Sequence, residues 1–109
     1  MAPYESGVDE ANFERKAAEV FERVLDRFDD IDPEQAEVET SGDVIRIDFA
    51  AGGCVVLNTQ RPARQLWLAG GHSAWHFDYA PERDQWLDDK GRGELFEVLA
   101  ELERRYLPG

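Results

Sequence analysis

What this sequence has little of narrows it first. A single cysteine, Cys54, excludes an internal disulfide and any cysteine-rich metal site. Basic residues are scarce: 12 Lys and Arg stand against 24 Asp and Glu, a formal net charge of −12. Such a surface repels phosphates, which argues against nucleic acid and anionic membranes as partners. It favours cations or a basic protein surface. No apolar run approaches the ~20 residues that cross a bilayer. The opening residues, MAPYESGVDE, carry neither a signal peptide's basic-then-apolar pattern nor an Arg-rich presequence. A cytoplasmic location is therefore expected, although a mature organellar chain would read the same way. There is no Ser-His-Asp arrangement, phosphate-cradling glycine loop or nucleotide motif. Repeats, linkers and low-complexity tracts are also missing. A chain of 109 residues is then read as one domain over 1–109, with 1–8 as a flexible lead.

What is present is periodic. Asp9 is a candidate N-cap for a helix running to Asp29 or Asp30. Phe13, Ala17, Val20, Phe21, Val24 and Phe28 recur at helical spacing and form one apolar stripe. Pro33 stops that helix. Short strands follow: Glu37–Glu39, Val44–Ala50, Cys54–Asn58, Gln65–Ala69, Ala74–Tyr79 and Gln85–Asp88. The breaks are Ser41-Gly42-Asp43, Ala51-Gly52-Gly53, Arg61-Pro62, Gly70-Gly71 and Ala80–Asp84. A second helix, ending near Leu107, carries Leu95, Leu99, Leu102 and Tyr106 in its stripe. Hairpin-length gaps make the sheet antiparallel, with five to seven strands. Two amphipathic helices can cover only one face of it. The expected fold is a two-layer α+β sandwich with both terminal helices on the same sheet face.

The outer face of that sheet is unusual. If Val55, Leu57, Leu66, Leu68 and Phe77 point inward, then Asn58, Gln65 and Trp67 point outward. A large aromatic among amides marks either a contact site or a ring covered by a helix or tail.

The charge is also unevenly placed. Residues 1–39 hold 13 acids and 4 bases, net −9; residues 40–109 hold 11 acids and 8 bases, net −3. On a helical wheel Glu19, Glu22, Asp26, Asp29 and Asp30 fall in one arc of about 100°, opposite the apolar stripe. Asp29 and Asp30 lie at the expected helix C-terminus, where the dipole disfavours negative charge by ~0.3–1 kcal/mol each. The ridge is either a solvated face or a site. Carboxylates alone suit hard cations such as calcium, magnesium, manganese or iron. A calcium loop starting at Asp30 fails, because Gln35 takes the glycine position and Ser41 the bidentate glutamate position. No histidine lies nearby, so open carboxylates would hold metal weakly and exchange it. Arg23 and Arg27 interleave with the acids and would lower that affinity by pairing with them. His72 and His76 are read as structural or surface residues, and Cys54 as an inert thiol.

The motifs Asn58-Thr59-Gln60-Arg61-Pro62, Gln65-Leu66-Trp67-Leu68 and His76-Phe77-Asp78 resemble the central signature of the frataxin family. The resemblance spans roughly Phe13 to Leu102. It implies the same sandwich, with the two helices nearly parallel. It also selects iron (Fe2+/Fe3+) as the cation. Asp26, Asp29, Asp30 and Asp32 fall on positions that carry acids in the family, and Glu22, Glu37 and Glu39, with Glu19, extend the ridge. The implied role is an iron donor or regulator in iron–sulfur cluster assembly, with a cysteine desulfurase and its scaffold protein as partners. Asn58, Gln60, Gln65 and Trp67 would form a second partner contact. The chain is expected to be a monomer without iron and not an enzyme. The competing expectation is a metal-independent acidic module that binds a basic partner.

Overall fold

A computed structural model describes residues 9–107; the expected flexible lead at 1–8 and the closing Pro108-Gly109 lie outside them. Helix α1 spans Glu10–Asp29. Strands β1 (Ala36–Ser41), β2 (Val44–Phe49), β3 (Cys54–Gln60), β4 (Gln65–Gly70), β5 (Ser73–Ala80) and β6 (Gln85–Asp88) follow, and α2 (Leu95–Tyr106) closes the order. Asp9 caps α1 by accepting the Asn12 N–H at 2.8 Å. Glu94 caps α2 by accepting the N–H groups of Phe96 and Glu97.

The strands form one six-stranded sheet in chain order, β1 to β6, antiparallel throughout. The inward residues expected from alternation, Val55, Leu57, Leu66, Leu68 and Phe77, are buried, as are Ile45 and Ile47 of β2; each is at most 2% exposed. They meet Phe13, Ala17, Val20, Val24 and Phe28 of α1 and Leu95, Val98, Leu99 and Leu102 of α2 in one core. Both helices therefore cover one face, as expected. The other face is left to Arg46, Asn58, Trp67, His76 and their neighbours.

One turn differs from the expectation. Gly70 is not part of the β4–β5 turn; it is a buried residue of β4, and Gly71-His72 makes the turn. The cause is packing from α2. A Cβ on Gly70 would sit 2.9 Å from Leu102 Cδ1, so the strand runs one residue further under the helix. Gly71, at φ 61°, takes the left-handed turn position instead. The shift sets the register of the whole hairpin: Trp67 lies opposite His76.

Candidate functional site

The acids of the ridge stand where the helix wheel places them. Glu22, Asp26 and Asp29 are exposed along α1, and Asp30 is its C-cap, donating its N–H to the Phe28 carbonyl. Glu19 pairs with Lys16 at 3.3 Å. Asp32 shapes the backbone that follows the helix. Its side chain accepts the Glu34 N–H at 2.9 Å, and its carbonyl accepts from Gln35 and Ala36. That turn carries the chain from α1 into β1. Glu37 and Glu39 are exposed on β1 opposite Asp48 and Arg46, so they project from the helix-free face of the sheet. The ridge thus wraps around the β1 edge rather than closing on a point. Among the described residues no three of His, Cys, Asp and Glu converge to hold a metal. The donor set fits loosely held hard cations, each meeting one or two carboxylates and water.

The two arginines do not neutralise this surface. Arg27 reaches α2, where its guanidinium makes two hydrogen bonds to Glu103, at 2.5 and 2.9 Å. Arg23 lies over the Phe96 ring, 4.0 Å from its centroid. Both positive charges tie α1 to α2. Among the described residues no cation lies within ion-pair distance of Glu22, Asp26, Asp29 or Asp30.

The open sheet face holds the second candidate set. The central row reads Val44, Asn58, Trp67, His76 across four strands. Trp67 stacks on His76 with centroids 4.2 Å apart and planes at 15°. Its Nε1–H donates to Gln65 Oε1 at 2.9 Å. Gln65 in turn donates to Asp78 and Asp89, both at 3.1 Å. Asn58 donates to the Thr59 carbonyl at 3.0 Å. Trp67 is on the outer face, as alternation places it, yet it is half-buried by this network. His76 covers one ring face and Gln65 holds the indole N–H, so the indole is fixed in place near the centre of the sheet. Gln60 ends β3, half-buried, opposite Gln65.

His76, Asp78 and Asp89 were not singled out from sequence as parts of this set. The available signal was register: a turn at Gly71-His72 puts His76 across from Trp67, whereas one at Gly70-Gly71 puts Ala74 there. Cys54 is half-buried, and burial followed by the neighbouring Asp48 carboxylate pushes its thiol up, which suits an inert side chain.

These features coincide with one known family. A frataxin-like domain model matches residues 6–108, and the chain belongs to the frataxin family. It is 36% identical over 95 residues to the "Iron-sulfur cluster assembly protein CyaY" of Pseudomonas fluorescens (strain Pf0-1), covering 87% of this chain and 86% of that one. It is 34% identical over 93 residues to the protein of the same name from Azotobacter vinelandii, covering 85% and 84%. Among solved structures, the frataxin of Psychromonas ingrahamii superposes with a TM-score of 0.77 at 20% identity, covering 90% of this chain and 91% of that one. Trimeric frataxin from Saccharomyces cerevisiae, complexed with ferrous iron, gives 0.72 at 24% identity, covering 97% and 92%. At these identities the two structures speak to the fold. No helix among the described residues is long and apolar enough to cross a membrane.

Proposed function

We propose that this chain is a cytoplasmic, iron-binding accessory protein of iron–sulfur cluster assembly, acting as iron donor or as regulator of a cysteine desulfurase. One observation carries the reading. Asp26, Asp29 and Asp30 sit uncompensated at a helix C-terminus while the two nearest arginines turn away to α2. Stability alone would place positive charge there. The names of the relatives, all iron–sulfur cluster assembly proteins, support the same role. Iron is cargo here, held by Glu22, Asp26, Asp29, Asp30 and Asp32 with Glu19, Glu37 and Glu39 at the margins, and exchanged readily. The rigid Trp67, with Asn58, Gln60 and Gln65, supplies a second contact, to the scaffold. No turnover is assigned to the chain: oxidation of bound iron would be stoichiometric.

A second reading, a metal-independent acidic module, draws support from the absence of a converging ligand set among the described residues. A desulfurase assay separates the two. Sulfide production by purified desulfurase and scaffold is measured with and without ferrous iron, against the native chain and the Asp26→Asn/Asp29→Asn/Asp30→Asn variant. The native chain is expected to change the rate in an iron-dependent manner, and the variant to lose that effect. An iron-independent change of equal size would replace the iron reading with the module.

A further inference from the structure

Among the described residues one long edge of the sheet has no neighbour. β1 ends the strand order and, among those residues, pairs with β2 alone. Ser41 and Val44 flank the two-residue turn Gly42-Asp43, so residues 41, 39 and 37 exchange hydrogen bonds with β2 and residues 40, 38 and 36 aim theirs outward. Two observed bonds fix this phase. The Ala36 N–H, pointing away from β2, donates to the Asp32 carbonyl at 3.2 Å, and the Gln35 carbonyl, pointing toward β2, accepts from Ala50 at 2.9 Å. The N–H and C=O groups of Val38 and Thr40 are left on the free edge, with no backbone partner among the described residues. The opposite edge is blunted: β6 has four residues, and Leu87 is bridged to Glu94.

Beside the free edge runs a groove of about 660 Å³ between the end of α1 and β1. Leu25, Phe28, Ile31 and Val38 line it, with Asp29 on its helix side and Glu37, Glu39 and Thr40 along its β1 rim. Leu25 is 37% exposed, a large hydrophobic side chain left open. On the far side of the strand project Glu37 and Glu39. An added strand would meet two different surfaces, since its side chains alternate between faces. The helix side offers the apolar side chains of Leu25, Phe28, Ile31 and Val38 beside the Asp29 carboxylate, and the far side is acidic.

We propose that β1 is a docking edge for an extended segment of a partner protein in which apolar and basic residues alternate, and which adds to the sheet as a further strand. Main-chain hydrogen bonds to Val38 and Thr40 provide the attachment, the groove takes the apolar side chains, and Glu37 and Glu39 take the basic ones. A second copy of this chain is a poor occupant. Its own β1, AEVETS, would bring like charges to the same rim. The proposal rests on the acidic surface being a protein contact, and on no property of iron.

The test uses the full chain, 15N-labelled, and three kinds of synthetic peptide. The first is a heptapeptide alternating Lys and Val. The second is the same peptide N-methylated at alternate residues, made in both phases. The third is a helix-forming Lys/Ala peptide of equal charge. The alternating peptide is expected to slow amide exchange at Val38 and Thr40 by about tenfold or more, and one methylation phase to weaken its binding by a similar factor. Thr40→Pro, which removes an outward N–H at an edge position that tolerates proline, should weaken it equally. Equal binding of all the peptides would overturn strand addition and leave the acids as mere protection of the edge. So would unchanged exchange at Val38 and Thr40, or no binding at all. A parallel pull-down of the desulfurase keeps the two readings apart. If the native chain captures it and Thr40→Pro captures it as well, strand addition fails alone. If the native chain captures none, the assembly reading fails, whatever the peptides do.

Discussion

Two acidic regions of this molecule use the same side chain in opposite ways. At the corner between β6 and α2, the Asp88 side chain has no exposed area and all of its hydrogen-bonding capacity is engaged. It accepts from Arg92 Nε at 2.9 Å and Nη2 at 3.2 Å, and from the backbone N–H groups of His76, Lys90 and Arg92. Burial pushes its carboxyl up, and Arg92 with the N–H groups of Arg92 and Lys90 pulls it below the ordinary carboxylate range. At the end of α1, Asp26, Asp29 and Asp30 are exposed and have no cation within reach among the described residues. The first region shows what a structural carboxylate looks like in this fold. The second has none of these contacts among the described residues, and the proposed iron-binding role rests on that contrast.

The largest expected effect tests the structural side. Asp88→Ala leaves Arg92 without its partner and three backbone N–H groups unsatisfied, and should cost about 2–4 kcal/mol in urea melts. A loss below about 1 kcal/mol would erase the distinction between the regions. The same pair predicts acid sensitivity. A carboxyl whose folded value is lowered contributes stability that is present above its unfolded value of about 4. That stability is lost as pH falls toward the folded value. Asp88→Asn should therefore flatten the decline of stability below about pH 4, measured by melts from about pH 6 down to about 2.5.

The next effect falls on the open face, which Gln65 and Asp89 connect to the same corner. Trp67→Ala should cost about 1–2 kcal/mol, because the His76 stack and the Gln65 hydrogen bond are lost but no core cavity forms. Partner capture by the scaffold–desulfurase assembly should fall sharply, with iron binding on the ridge retained. A loss of ~3–5 kcal/mol would mean the ring acts as core.

A smaller change crosses from one region to the other. Glu103→Gln frees Arg27 to swing toward Asp30, three residues on along the same helix face. It should cost about 0.5–1 kcal/mol, and it should weaken iron binding without touching a single ridge acid. Unaltered iron affinity, by calorimetric titration, would show that the arginine's position is irrelevant to the ridge.

The last change has the opposite sign. Asp29→Asn with Asp30→Asn should stabilise the fold by about 0.3–1 kcal/mol in all, and so raise the melting temperature, since dipole and like-charge repulsion are relieved. A fall in melting temperature would place these acids with Asp88, in the structural class.

The contrast also explains what the sequence could reveal. The ridge was legible because it depends on one helix: a 100° period fixes which residues share a face, whatever the rest of the chain does. The strands and their faces were legible for the same reason, through a period of two. Asp88 was not, because its burial comes from the Asp89–Gly93 loop folding back over it, a tertiary event. The destination of Arg27 was hidden likewise, since Glu103 lies at the other end of the chain. The missed partner of Trp67 has a single cause. Gly70 looks like a turn residue locally, and only the close approach of Leu102 makes it a strand residue.

The sheet's chain-order topology has a consequence for how the protein is made. Every strand pairs with its sequence neighbour, so each hairpin can close over a short loop, which favours fast folding. The helix α1 is the exception. It leaves the ribosome before any of the strands, yet Phe13 packs edge-on against Trp86 of β6, 5.9 Å between ring centroids. Its apolar stripe has nothing to cover it until nearly the whole sheet has been synthesised. An amphipathic helix in that position is exposed for most of translation, and its dense acidic face keeps such nascent chains apart by charge repulsion until the sheet arrives.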